Sequence, residues 1–108
     1  MSVSVVKKHF DYSVFSMPVN MDIDYIMTFK IEIKKHIEQN NKKIILDFLQ
    51  TKTLNSGAIG LIISLYKNII EQNGVLIIAR VNNEIKKAFE ITKLTNIFKI
   101  YDSIDSIR

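Results

Sequence analysis

Cysteine is absent from this chain of 108 residues, which excludes disulfides and thiolate metal sites. Histidine occurs only as His9 and His36, remote from each other, so a histidine metal site would need carboxylates as well. No HExxH motif, EF-hand loop or Cys/His cluster is present. Arginine is limited to Arg80 and Arg108. The net charge of +4 therefore comes from lysines spread along what read as solvated helix faces, and no Arg/aromatic cluster marks a nucleic-acid footprint. Long apolar runs are missing too. The longest, "GAIGLIISLY", ends before Lys67 and falls short of the roughly 20 residues that span a bilayer. The opening "MSVSVVKKHFDY" lacks the charge-then-apolar order of a signal peptide. These absences point away from a metalloenzyme, nucleic-acid binding and direct membrane insertion, and toward a cytoplasmic protein.

What is present is a chain that folds. Hydrophobic residues make up 47%, enough for one domain, read as 1–108, with a core of its own. Val3 to Lys8 and Tyr12 to Met17 are runs of strand formers around a turn at "HFDY", and Pro18 suits the end of the second. Asn20 or Asp22 caps a first helix whose apolar stripe is Ile26, Phe29, Ile33 and Ile37. "KIILDFL", Lys43 to Leu49, reads as a strand buried on both faces. A second helix runs from near Ser56 to about Gln72, with Ile59, Ile62, Ile63, Tyr66 and Ile70 as its stripe. Asn73-Gly74 closes that helix with Gly74 in the left-handed conformation. "VLIIARV" is another buried strand. Asn82 or Asn83 then caps a third helix with Ile85, Ala88, Phe89 and Thr92 on one face. "IFKIY" is a short last strand, and "DSIDSIR" at most one or two helical turns. The alternation from Lys43 onward calls for right-handed crossovers and a parallel core. The expected fold is α/β: a mixed, mostly parallel sheet of about five strands with helices largely on one side.

Few residues invite chemistry. His9 falls in the expected turn and His36 on the polar side of the first helix, so both read as surface histidines. Asp47 sits at the end of a buried strand, where open parallel sheets gather ligands. No second acid or base stands ready to share catalysis, so a hydrogen bond from Asp47 to the following loop is the simpler reading. Two of the three glycines fall in "TLNSGAIG", Thr53 to Gly60. Neither the phosphate-loop nor the dinucleotide-loop pattern is met. The glycines read instead as a small-residue helix start that lets the second helix approach the sheet. Asn55, Ser56 and Gly57 then sit at exposed N–H groups, where an anion or a phosphorylated side chain is favoured.

These residues in order resemble the STAS domain, the anti-sigma factor antagonist family. The resemblance rests on a strand ending in Asp47, the "TLNSGAIG" corner, the "NG" before the next strand and the tail "FEITKLTNIFKI". It covers Lys42 to Ile107 well. Before Lys42 only the strand–strand–helix order matches, and the family's Gly-x-Leu-Asp is not clear in "MPVNMDID". The family's corner reads Asp-Ser-Ser/Thr-Gly-Leu-Gly. Laid on without gaps, Asn55 takes the Asp place and Ser56 the first Ser. Gly57 takes the phosphoacceptor place, followed by Ala58, Ile59 and Gly60. A shift of one residue would instead make Ser56 the acceptor, at the expense of the Gly60 match. The resemblance implies a protein–protein switch, not an enzyme. Its partner would be an anti-sigma factor serine kinase, with no cofactor or metal. The implied contact residues are Asp47, Thr53, Asn55, Ser56, Gly57, Ala58, Ile59 and Gly60. With Gly57 at the acceptor place, the resemblance leaves two alternatives: a protein constitutively competent to bind, or one phosphorylated elsewhere, with Ser56 as the candidate phosphoacceptor and Thr51 and Thr53 beside it. A STAS-like subunit of a membrane transport assembly, binding an ATPase or permease, is the rival role. The apolar helix faces also allow a homodimer.

Overall fold

Alternating apolar runs and helical stripes assemble into one sheet layer with helices on one face and a short tail on the other. The computed structural model describes residues 6–108. Strands β1 (Val6–His9) and β2 (Tyr12–Ser16) pair antiparallel, with His9 opposite Tyr12. The first two residues expected of β1, with Val5, lie outside the described residues. The turn is closed by Phe10 at a positive φ of 56°. Strands β3 (Lys43–Asp47), β4 (Val75–Ala79) and β5 (Ile100–Tyr101) follow. The sheet order is the sequence order, and β2 to β5 are parallel.

Helices α1 (Ile23–Glu38), α2 (Ser56–Glu71) and α3 (Asn83–Ile91) all start on a capping side chain. Asp22, Asn55 and Asn82 each accept from the backbone N–H three residues on, at 2.8 Å. The buried residues of α1 are Ile26, Phe29, Ile33 and Ile37, the stripe its spacing predicts. They pack over Phe15, Ile44 and Leu46 of the sheet. On α3, Ile85 and Phe89 are buried, whereas Ala88 is only half-buried and Thr92 is exposed.

Helix α2 turns differently from its predicted stripe. Its buried residues are Ala58, Leu61, Ile62, Leu65 and Ile69. Ile59, Ile63 and Tyr66 are half-buried on its flank, and Ile70 is exposed. The helix is apolar nearly all round, so spacing alone could not choose the inner face; packing against α1 and the sheet does. The end of α2 also differs. Asn73, not Gly74, takes the left-handed conformation, at φ 61°. The N–H of Gly74 reaches Ile69 O at 2.8 Å and that of Asn73 reaches Ile70 O at 3.0 Å, a Schellman cap with Asn in the left-handed place. Gly74 is required for a different reason: a Cβ there would lie 2.4 Å from the Lys42 carbonyl.

The helix-free face of the sheet carries Tyr12, Val14, Ile45, Ile77 and Ala79, which Ile107 covers together with Tyr101 and Ile104. A 3₁₀ turn at Ile104–Ser106 shapes this tail. His9 pins it, with Nε2 2.6 Å from the Ile107 carbonyl. His9 is thus a structural clasp at the end of β1 and not a free turn residue. His36 is not a free surface residue either. Its Nε2 lies 2.8 Å from the hydroxyl of Ser13, which is fully buried, and Lys8 donates to the same oxygen at 3.0 Å. Partial burial, with the Lys8 charge nearby, lowers the His36 pKa.

Candidate functional site

Parallel strands bring their carboxyl ends to one edge, and the three helix N-termini gather there. The loop from Phe48 to Asn55 crosses this edge and is tied down on both sides. Toward the segment before α1, Gln50 Nε2 donates to Met17 O at 2.8 Å and Thr51 Oγ1 to Pro18 O at 2.7 Å. The Lys52 N–H reaches Val19 O at 3.1 Å, and Asn55 Nδ2 reaches Met21 O at 3.0 Å. Toward α3, Asn82 Nδ2 donates to Lys52 O at 2.9 Å and Thr51 O at 3.2 Å. Asn55 and Asn82 therefore each cap a helix with the oxygen and hold a neighbouring segment with the nitrogen. Backbone polar groups that a loop would leave to water are instead satisfied internally, which fixes its shape.

The corner that results is a presented surface. Thr53, Asn55, Ser56, Gly57 and Gly60 are exposed, and Ile59 is half-buried. Ser56 is the first residue of α2, and its hydroxyl has no partner among the described residues. Asn55 retains the capping bond that an Asp would make, without the charge. The two glycines have unlike surroundings. A Cβ on Gly57 would meet Asn55 Oδ1 and Ile26 Cδ1, both at 3.3 Å. A Cβ on Gly60 would meet nothing within 4 Å. Gly57 thus sits tightly against α1, whereas Gly60 faces outward and does not serve the approach of α2 to the sheet. That approach belongs to Ala58, which is fully buried.

Two of the predicted contact residues lie apart from this surface. Ala58 is beneath it. Asp47 is 5% exposed and turns to the helix-free face. Its Oδ1 accepts from the Leu49 N–H at 3.2 Å, the expected bond to the loop. Arg80 clamps both oxygens, through Nε to Oδ1 at 3.0 Å and a terminal nitrogen to Oδ2 at 2.5 Å. That hydrogen bonding raises the guanidinium pKa. Arg80 itself is held at φ 58°, left-handed backbone that a residue with a Cβ adopts at some cost. Sequence reading missed Arg80. The only signal available was general: an acid inside a buried strand needs a cation or several donors. Among the phosphoacceptor alternatives, Thr51 is 2% exposed with its hydroxyl bonded to Pro18, so it is inaccessible as folded, whereas Thr53 and Ser56 are open.

Among the described residues no group of three or more His, Asp or Glu could hold a metal ion. Nor is any described helix long and apolar enough to cross a membrane.

The STAS domain family model matches residues 4–107. A candidate anti-sigma factor antagonist of Thermotoga maritima, TM1081, superimposes with a TM-score of 0.89 at 22% identity, over 95% of this chain and 89% of that one. An anti-sigma-factor antagonist (STAS) domain protein of Planctomyces limnophilus gives 0.83 at 17% identity, over 95% and 92%. The anti-sigma factor antagonist SpoIIAA in its unphosphorylated form gives 0.83 at 15%, over 95% and 90%.

Proposed function

The chain belongs to the STAS domain family, and from that premise we propose that it is an anti-sigma factor antagonist or a related partner-switching regulator. It docks, as a cytoplasmic binding module without catalysis of its own, on an anti-sigma factor serine kinase. The docking surface is the corner from Thr53 to Gly60 with the first turns of α2. The observation that carries this reading is the pairing of a loop held rigid on both sides with an exposed, side-chain-poor rim at Ser56, Gly57 and Gly60. A rigid surface loses little conformational entropy on binding, and glycines let a partner backbone come close.

Control by phosphorylation attaches to Ser56. In the gap-free correspondence the acceptor place falls on Gly57, which has no hydroxyl. Ser56 is the adjacent, exposed hydroxyl at the start of α2, where the helix N-terminus tolerates a dianion. A phosphate there adds close to two negative charges to the docking rim and opposes association by repulsion and desolvation.

The test is capture of partners from the source cell's lysate, followed by affinity measurement on the protein recovered. An ATP-binding serine kinase is expected, and Ser56→Asp is expected to weaken its binding at least ~10-fold, about 1.4 kcal/mol. Recovery of a transporter ATPase or permease would replace the sigma-factor role and leave only the fold. Equal affinity of Ser56→Asp and Ser56→Ala would remove charge control from this corner.

A further inference from the structure

Helix α1 carries a second apolar stripe that the fold leaves uncovered. Ile23, Met27 and Ile31, each four residues from the next, are 66%, 60% and 60% exposed. They are distinct from the inward stripe of Ile26 to Ile37. Large side chains exposed together in this way mark interaction surfaces more often than chance exposure does.

The stripe borders a groove. Lys30 and Lys34 of α1 line a depression of about 160 Å³ shared with Ser64 and Asn68 of α2. Ile23 and Met27 precede those lysines on the same i, i+3, i+4 ridge of α1, so they flank the groove toward the start of the helix. On α2 the depression is lined by Ser64 and Asn68, and Gly57 and Gly60 precede Ser64 on the same ridge, again three and four apart. Gly57 meets α1 at Ile26, and Gly60 has open space above it. One bank is thus apolar and cationic, the other small. Such a trough admits a helix whose backbone approaches α2 while its apolar side chains rest on Ile23 and Met27.

We propose that the groove between α1 and α2 docks an acidic amphipathic helix of a partner protein. Charge selects this occupant. The residues lining the depression include Lys30 and Lys34 and no acid. A second copy of this chain fits poorly, because a two-fold contact would set these lysines against their own counterparts. A bilayer surface would meet the apolar residues of α1 without filling the depression between the two helices. The inference deepens the docking reading above and rests on it for the occupant being a protein.

The probe is a synthetic helical peptide of about five turns, with leucines at i, i+3, i+4 and i+7 and glutamates elsewhere. It is titrated into the full chain, with binding read by fluorescence anisotropy and mapped by the Met27 methyl and Ser64 amide NMR signals. Saturable binding that perturbs both signals is expected. Met27→Glu and the pair Lys30→Glu with Lys34→Glu should each weaken it at least ~10-fold, and a peptide with lysine for glutamate should not bind. These positions are exposed, and thermal melts check that the variants fold. Several results would overturn the proposal. They are no binding, binding indifferent to these substitutions, self-association abolished by Met27→Glu, or recruitment to phosphatidylserine vesicles lost in the same variant. Kinase binding that persists while the peptide fails sinks the groove alone. A kinase lost from Ser56→Asp with peptide binding kept shows that the groove acts apart from the corner.

Discussion

Truncating Arg80 to alanine strands the Asp47 carboxylate. The Asp47 side chain is 6% exposed, and without Arg80 it keeps one donor among the described residues, the Leu49 N–H. Removing one partner of a buried ion pair costs about 3–5 kcal/mol. Here the Arg80 side chain is 33% exposed, so water can enter from its side, and the expected loss falls to about 2–3 kcal/mol. For a chain of this size that is a drop in Tm of about 10–15 °C. Backbone strain provides an internal control. Arg80 sits at φ 58°, a conformation easier for glycine than for alanine by about 1 kcal/mol. Arg80→Gly should therefore be more stable than Arg80→Ala by that amount, though both lose the same ion pair. Replacing both partners, Asp47→Leu with Arg80→Gly, should recover most of the loss. Urea titration followed by far-UV circular dichroism gives the midpoints and slopes needed. A loss below about 0.5 kcal/mol for Arg80→Ala, or a glycine variant weaker than the alanine one, would refute the reasoning.

Gly74→Ala should destabilise by about 1–3 kcal/mol, since its Cβ would sit 2.4 Å from the Lys42 carbonyl; an unchanged urea midpoint would show that the β3 and β4 ends part freely. His36 gives a pH dependence. Its folded pKa is lowered, so the unfolded chain takes up a proton first on acidification. Its contribution is fully present above about pH 6.5 and is lost as pH falls through the folded value. The Tm of wild type should fall more between pH 7.5 and pH 5 than that of His36→Gln, and equal falls would contradict the assignment. Gly60→Trp should fold normally, as nothing lies within 4 Å of its Cβ, yet abolish binding of the captured kinase. Unchanged affinity by calorimetry would move the docking site off this corner.

Local patterns carried much of the architecture. The α1 stripe was readable because polar residues interrupt it on every turn, and the caps were narrowed to Asn20 or Asp22 and to Asn82 or Asn83 because each pair stands just before an amphipathic run; the structure selects Asp22 and Asn82. The α2 face was not readable, since isoleucines and leucines surround that helix and only its neighbours decide which go inside. The Asn73 cap was displaced by one residue because the glycine beside it is demanded by β3 packing rather than by φ. The exposed corner was legible as a small-residue helix start. Its rigidity was not: Asn82 reaches back 30 residues to Lys52, and Arg80 reaches 33 to Asp47. Contacts of that span leave no periodic trace. The same is true of the His9 clasp on Ile107.

The sequential order of the strands has a kinetic meaning. From β2 onward, each strand hydrogen-bonds to the one that left the ribosome immediately before it, so the sheet can extend as the chain is translated without any later strand being inserted between two earlier ones. The helical face matures along with it, one crossover at a time. The opposite face cannot. Its lid, Ile107, is synthesised 98 residues after the His9 that receives it. During synthesis, Tyr12, Val14, Ile45 and Ile77 therefore wait for their Ile107 cover until that contact closes.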